Sequence, residues 1–187
     1  MMRVVTGKFK GMEIVSPPKD LELRPTSDRV REAIFDVIRF DIYGKVFLDL
    51  FAGSGAVGIE ALSEGAEFVY FVENNPRAIQ VIKRNILRFG LIDNSKVIFK
   101  DVFKFLSKPE LERKIDFIFL DPPYKMHFVS QILEILKDSS IIESNSVIIA
   151  EHSKEEILNE EYKGRLLISK YKEKRYGKIL VSYFVAE

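Results

Sequence analysis

Short apolar runs and amphipathic segments alternate along most of this chain. Five runs rich in β-branched and aromatic residues predict strands, at residues 46–50, 68–73, 96–99, 115–120 and 146–150. The segments between them carry apolar residues at helical spacing and predict helices, at about 28–39, 57–64, 76–89, 102–107 and 127–137. Strands this apolar are typical of parallel sheets covered by helices. The pattern therefore predicts a doubly wound α/β domain with a mostly parallel sheet.

Antiparallel hairpins are predicted at both ends of the chain. Each consists of two runs around a short turn, at residues 2–6 with 11–15 and at residues 164–173 with 178–185. The second hairpin brings the predicted core sheet to seven strands, with helices on both faces. A length of 187 residues suits one domain. We therefore expect an N-terminal hairpin extension at 1–20 and a single Rossmann-like core at 21–187.

Composition narrows the possible chemistry. The chain has no cysteine and two histidines, which excludes disulfides, cysteine nucleophiles and thiolate metal sites, and we expect no metal. His127 and His152 are expected to be structural or rim residues. No apolar run approaches the roughly 18 residues that span a bilayer, and the start lacks the apolar region of a secretory signal. We expect a cytoplasmic monomer with no membrane partner.

Four acidic residues lie at or just past the ends of predicted core strands. They are Asp49, Glu73, Asp101 and Asp121. Ligands of doubly wound sheets bind at the carboxyl ends of the strands. One crevice could therefore collect all four side chains.

A glycine loop follows the first core strand. Its spacing, Gly53-x-Gly55-x-x-Gly58, matches the dinucleotide fingerprint, with Glu73 about 20 residues further on. NAD and S-adenosylmethionine share an adenosine, so Glu73 suits the ribose of either. Asp49 suits a methionine ammonium and would repel a pyrophosphate, while Asp101 can accept a hydrogen bond from an adenine amino group. These acids favour S-adenosylmethionine over NAD.

The segment Asp121-Pro122-Pro123-Tyr124 ends the fourth core strand. Asp121 and the Pro122 carbonyl can both accept hydrogen bonds from an exocyclic amine, which draws its nitrogen toward a more nucleophilic state. Tyr124 can stack on the attached ring. The alternative is an ordinary strand followed by a Pro-Pro turn. Together with the glycine loop, the segment favours methyl transfer to an amino group of a base.

The chain resembles the RsmD-type bacterial methyltransferases of 16S ribosomal RNA in four segments, at residues 3–11, 23–35, 49–55 and 121–124. The segment 24–32 separates this family from other exocyclic-amine methyltransferases, and the family often has Phe where this chain has Tyr124. The resemblance implies a class I methyltransferase fold and transfer of a methyl group from S-adenosylmethionine to guanine N2, at position 966 of the usual rRNA numbering. The expected product is S-adenosylhomocysteine.

The resemblance also implies roles for individual residues. The expected catalytic residues are Asp121, Pro122 and Tyr124. The expected cofactor residues are Asp49, Phe51, Ala52, Gly53, Gly55, Glu73, Asn74, Asp101, Val102 and Thr26. Thr26 and Asp28 could instead cap a helix, and Arg29 and Arg31 could form surface ion pairs.

Both ends of the chain are basic although its net charge is +1. Residues 1–31 carry seven lysines and arginines against four acids, and residues 163–178 carry seven against one. Positive charge on one face suits a polyanion, although a solvated surface would look similar. The expected RNA contacts are Arg3, Lys8, Lys10, Arg24, Arg29, Arg31, Lys172, Lys174 and Arg175. We expect ribosomal RNA as the partner, within a partly assembled small subunit.

Two other functions are compatible with these motifs. A methyltransferase acting on adenine N6 in DNA or RNA, or on a glutamine side chain, would use the same amine clamp. A non-catalytic module that binds the cofactor or RNA would also contain the glycine loop and the basic ends. The intact Asp-Pro-Pro-Tyr segment is evidence against such a module.

Overall fold

The computed structural model describes residues 2–18, 20–21, 26–123 and 126–187. The chain forms two compact units, Met1–Val102 and Phe103–Glu187. Two of the predicted functional residues, Arg24 and Tyr124, lie outside the described residues.

The first unit contains a two-stranded hairpin and a three-stranded parallel layer with helices. In chain order its elements are β1 (Met2–Arg3), β2 (Glu13–Ile14), α1 (Asp28–Ile38), β3 (Val46–Leu50), α2 (Ala56–Ser63), β4 (Phe68–Glu73), α3 (Pro76–Phe89), a 3₁₀ turn (Ile92–Asn94), β5 (Ser95–Phe99) and the start of α4 (Val102–Ser107). Strand β4 is central and pairs in parallel with β3 and β5. The parallel strands β3 to β5 and the helices α1 to α3 confirm the sequence prediction.

Local sequence signals set the helix ends in this unit. Ser27 caps α1: its hydroxyl accepts a hydrogen bond from the Val30 amide. Asn75 caps α3 in the same way, with Pro76 in the first turn. Gly90, with a φ of 66°, ends that helix in the left-handed conformation.

The N-terminal hairpin is shorter than predicted. Its strands β1 and β2 contain two residues each, whereas the sequence predicted residues 2–6 and 11–15. The amides of Val5 and Thr6 donate to the Glu60 carboxylate of α2 instead of to the opposite strand. Competition from this distant side chain ends the ladder early.

The described part of the second unit contains the rest of α4, helix α5 (Phe128–Leu136) and five strands. The strands are β6 (Ile115–Leu120), β7 (Ile142–Ser153), β8 (Glu161–Lys163), β9 (Leu167–Tyr176) and β10 (Ile179–Ala186), in the spatial order β6-β7-β10-β9-β8. β6 and β7 are parallel, and the other neighbours are antiparallel. The β9–β10 pair confirms the predicted closing hairpin. β8 was not predicted, because three residues with one buried side chain, Tyr162, are too few to show a pattern.

Within the described parts of the chain, no helix combines the length and the apolar character that crossing a membrane requires.

Candidate functional site

The loop between β3 and α2 has an unusual backbone. Phe51, Gly53 and Gly55 adopt positive φ angles of 63°, 55° and 77°. Glycine adopts such angles easily, but a bulky residue such as Phe51 rarely does, and residues held in this way cluster at functional sites. The Ala52 amide donates to the Val72 carbonyl of β4 at 3.0 Å, which ties the loop to the sheet. The loop is therefore a fixed feature of the first unit.

Gly58 lets α2 lie close to the sheet. A Cβ atom on this residue would come within 2.2 Å of the Phe71 ring on β4. The first turn of α2 is thus held directly against β4.

Asp49 lies one residue before the end of β3 and is 1% exposed. Its Oδ2 accepts a hydrogen bond from the Gly58 amide at 3.0 Å. Burial raises the pKa of the Asp49 carboxyl from 3.8 to about 7, the Gly58 hydrogen bond opposes this rise, and the nearby charge of Glu73 adds to it. A cation placed beside Asp49 would favour the charged carboxylate.

Glu73 is the last residue of β4 and is 6% exposed. Its Oε2 accepts from the Gly53 amide at 2.8 Å, and its Oε1 accepts from the amides of Asn74 and Asn75, both at 2.9 Å. A carboxylate has about four lone-pair sites. These three amides occupy three of them, so about one site on Oε2 can still accept a hydrogen bond. These bonds fix Glu73 against the glycine loop and hold an acceptor at the strand end.

The other predicted cofactor residues occupy different environments in the first unit. Asp101 is half-buried and follows β5, two residues beyond Phe99, which lies beside Glu73 in the sheet. Val102 is buried at the first position of α4, and Asn74 is exposed. Thr26 is buried, and so are Ala52 and Gly55. The structure therefore brings Asp49, Glu73, Asp101 and the loop to one end of the parallel layer.

Asp121 belongs to the second unit. It follows β6 directly and is half-buried, with Pro122 buried and Pro123 exposed after it. The Pro123 carbonyl accepts a hydrogen bond from the Met126 amide at 3.1 Å. Asp121 therefore stands at a strand end, where the sequence predicted it.

Sequence analysis missed one acid at this strand end. Leu120 of β6 pairs with Ala150 of β7, so the next residues, Asp121 and Glu151, are neighbours in this register. Glu151 is 1% exposed. The signal that could have found it is its position directly after the apolar run 147–150, as Glu73 and Asp121 directly follow theirs.

Both histidines belong to the second unit. His152 is buried in the second unit, with Nε2 2.9 Å from the Ser182 hydroxyl, and burial lowers its pKa. His127 is exposed, with a φ of 49°, at the start of α5. Among the residues that the structure describes, no three His or acidic side chains lie close enough to hold a metal ion.

The predicted RNA-binding residues differ in exposure. Those with exposed positions are Arg3, Lys8, Lys10, Arg29 and Arg175. Lys172 and Lys174 are half-buried on β9. Arg31, in contrast, has no exposed surface at all.

The burial of Arg31 contradicts its prediction as an RNA contact. Its Nε lies 2.9 Å from Oε2 of Glu60, and both side chains are fully buried. Its Nη2 also donates to Asp28 at 3.0 Å and to the Arg3 carbonyl. Arg31 is wrong as an RNA ligand because its guanidinium is used inside the first unit, where it holds α1, α2 and the hairpin together.

We expect Arg31→Met to destabilise the protein by about 3–5 kcal/mol, because it leaves the Glu60 carboxylate buried without its cation. The measurement is the free energy of unfolding in urea. Arg29→Met, in the same helix but exposed, serves as the control and should change it by less than about 0.5 kcal/mol. Equal losses for the two variants would contradict the structural role of Arg31.

Comparison with known proteins places the chain in a family. A family model described as conserved hypothetical protein 95 matches residues 2–185. The chain is 38% identical over 155 residues to YlbH of Bacillus subtilis, named as a candidate rRNA methyltransferase, over 82% of this chain and 84% of that protein. It is 33% identical over 159 residues to the ribosomal RNA small subunit methyltransferase D of Haemophilus influenzae, over 84% of this chain and 81% of that protein.

Solved structures show the same fold. The Escherichia coli protein yhhF, whose name marks it as a candidate methyltransferase, has a TM-score of 0.85 and 25% identity, with coverage of 100% of this chain and 98% of that one. The fold is that of the class I methyltransferases. On the match across residues 2–185 and on the similarity of its relatives, the chain belongs to the conserved hypothetical protein 95 family, which is the family of the RsmD-type methyltransferases.

Proposed function

We propose that this protein transfers a methyl group from S-adenosylmethionine to the exocyclic N2 of a guanine in 16S ribosomal RNA. The observation that carries the proposal is the pair of buried acids around the glycine loop. Asp49 contacts the start of α2, and Glu73 is locked against Gly53. Membership of the RsmD-type family supports the RNA substrate, and the resemblance supports the guanine at position 966.

The residues at the end of the parallel layer fit S-adenosylmethionine. We assign the methionine ammonium to Asp49, the ribose hydroxyls to Glu73 and the adenine amino group to Asp101. A pyrophosphate would meet the buried Asp49 carboxylate, which makes a dinucleotide a poor fit. When bound, S-adenosylmethionine supplies a methyl group that its sulfonium already activates.

The remaining proposed cofactor contacts come from residues beside these acids. Phe51 and the loop backbone at 52–55 would line the methionine end. The Val102 backbone would contact the adenine, Asn74 would lie beside the ribose, and Thr26 would complete the site.

Asp121 and Pro122 would hold the target amine. Two acceptors, the Asp121 carboxylate and the Pro122 carbonyl, orient the NH2 group and leave its lone pair free for attack. The carboxylate also stabilises the positive charge that develops on nitrogen. Tyr124 would stack on the base. Most of the acceleration of methyl transfer then comes from positioning the amine nitrogen next to the methyl group.

The substrate guanine must leave its stack to reach these groups. A guanine in an RNA loop costs less to extract than a paired one, so we propose a loop within a partly assembled small subunit. Phosphate contacts would come from Arg3, Lys8, Lys10, Arg24, Arg29, Lys172, Lys174 and Arg175. We further propose a cytoplasmic monomer with one methyltransferase domain and no need for a metal.

The test is methyl transfer from labelled S-adenosylmethionine to small-subunit RNA and to small-subunit particles from cells that lack this gene. Nucleoside analysis should show N2-methylguanosine. N6-methyladenosine would support the alternative amine instead. Cofactor binding with no transfer to RNA, DNA or protein would support a non-catalytic module and contradict the proposal.

The pKa of Asp49 predicts how cofactor affinity depends on pH. A cationic ammonium requires the carboxylate, which is mostly protonated below a pKa of about 7. Lowering the pH from 7.5 to 5.5 should therefore weaken S-adenosylmethionine binding roughly 20-fold. Calorimetric titration at the two pH values measures the change. A binding constant that stays flat across this range would contradict the assignment of Asp49 to the ammonium.

A further inference from the structure

The outer half of β9 presents an exposed aromatic ring beside basic side chains. Tyr171 is 51% exposed, and the charged residues around it include Lys172 and Lys174. β8 pairs with β9 only from Leu167 to Ser169. Among the residues that the structure describes, no strand pairs with the outer edge of β9 beyond Ser169. This half of the strand is therefore an open edge of the second unit.

Strand register places both lysines on one face. Lys172 lies beside Tyr183 of β10, Lys174 beside Val181, and Tyr176 beside Ile179. Because alternate residues of a strand share a face, Lys172, Lys174 and Tyr176 point to the same side. We call these three residues and Tyr171 the β9 strip.

A register shift brings Tyr171 to this strip. Tyr183 pairs with Lys172 and Phe184 pairs with Lys170, so Tyr171 is an extra residue in β9. The Tyr171 ring lies 6.1 Å from the buried Tyr183 ring, and the Lys172 Nζ lies 5.9 Å from the same ring. Tyr183 thus supports both an exposed ring and a cation from beneath.

The acid of this segment lies on the opposite face. Glu173, the single acid in residues 163–178, pairs with Ser182 and accepts a hydrogen bond from its hydroxyl at 2.8 Å. Its carboxylate also lies 3.5 Å from the Lys170 Nζ. The lysine charges of the β9 strip are therefore not cancelled by an acid of the same strand.

We propose that the β9 strip binds single-stranded RNA next to the target guanine, with a base stacked on Tyr171 and phosphates held by Lys172 and Lys174. An exposed ring beside cations on an open sheet is complementary to both parts of a nucleotide, its flat base and its phosphate. The inference rests on the proposed function and adds the position and kind of RNA contact to it.

Binding of a labelled single-stranded RNA of about twelve nucleotides tests the strip directly. Tyr171→Leu should weaken binding about tenfold, while Tyr171→Phe, which keeps the ring, should stay within about twofold of wild type. Lys172→Gln with Lys174→Gln should lower the slope of log affinity against log salt by about 1.4, at 0.7 per contact. Tyr171→Leu should leave that slope unchanged.

Two control variants match these changes. Tyr43→Leu removes a ring that is 82% exposed in the first unit, and Lys163→Gln removes an exposed lysine of β8. Both should bind the RNA like wild type. In turnover, Tyr171→Leu should raise KM for small-subunit RNA by the factor seen in binding and leave kcat unchanged.

Equal RNA affinity of Tyr171→Leu and wild type would overturn the proposal. The proposal would also be overturned if Tyr171→Leu bound the free RNA normally and raised KM only for assembled particles. That result would indicate that Tyr171 contacts a ribosomal protein. If wild type methylates no ribosomal RNA but the variants of the β9 strip still lose RNA affinity, the proposed function is wrong and the RNA-binding role of the β9 strip is retained.

Discussion

Asp121→Ala should lower methyl transfer by at least about a hundredfold and leave S-adenosylmethionine binding within about twofold of wild type. The variant removes the carboxylate that we propose orients the amine and stabilises the developing cation. Losses of this kind are worth about 10²–10³ in rate. The cofactor contacts proposed for Asp49 and Glu73 belong to other residues and remain. Single-turnover transfer rates and calorimetric cofactor affinities measure the two effects separately.

Asp116→Ala provides a matched control for this experiment. Asp116 belongs to the same strand, β6, and lies five residues before Asp121. Its loss should leave the transfer rate close to that of wild type. If Asp121→Ala loses cofactor binding and transfer to the same extent, the division between cofactor acids and amine acceptor is wrong.

Asp49→Asn should have opposite effects on function and stability. Without the carboxylate, S-adenosylmethionine affinity should fall at least about tenfold at pH 7.5, because charge-assisted hydrogen bonds are about twice as strong as neutral ones and the ammonium loses its counter-charge. The Asn oxygen can still accept from the Gly58 amide. The helix contact therefore survives, and the cofactor contact does not.

The stability effect of Asp49→Asn depends on pH in a defined direction. Because burial raises the pKa of Asp49 from 3.8 to about 7, the folded protein holds this proton more tightly than the unfolded chain does. The associated stability is present below pH 4 and is lost as the pH rises through 7. At 1.36 kcal/mol per pH unit, the loss is about 4 kcal/mol at most. Asp49→Asn has no titrating group at this position, so its stability does not fall in this way as the pH rises.

Urea unfolding at pH 5.5 and pH 8 tests this expectation. The stability of the Asn variant relative to wild type should increase between the two pH values. Asp41→Asn, an exposed change in the same unit, should show no such trend. A parallel pH dependence of wild type and Asp49→Asn would mean that Asp49 does not titrate in the folded protein between these two pH values.

The proposed cofactor end of the site could be predicted from the sequence because its signals are local. Asp49 lies one residue before the end of an apolar run, and Glu73 ends one. The ends of parallel strands meet at one edge of a sheet. The glycines at 53 and 55 mark left-handed backbone, which the φ angles show. The Phe51 backbone was not predictable in this way, because nothing in its own side chain favours a positive φ.

Arg29 and Arg31 show where sequence reasoning fails. The two residues stand two positions apart in one helix and received the same prediction. Arg29 is exposed, whereas Arg31 is buried because Glu60, 29 residues later in the chain, supplies its counter-charge. An arginine is rarely buried without such a partner, and no local pattern reveals a partner on another helix.

By itself, the sequence determined the order of strands and helices, the caps at Ser27, Asn75 and Gly90, and the acids at the strand ends. These features depend on neighbours within a few residues, through side-chain periodicity and backbone preference. Only the tertiary structure decided the raised pKa of Asp49, the three amides on Glu73, the buried Arg31 and the position of Tyr171 on β9. Each of these depends on burial or on a partner from a distant segment, and only the folded chain brings such segments together.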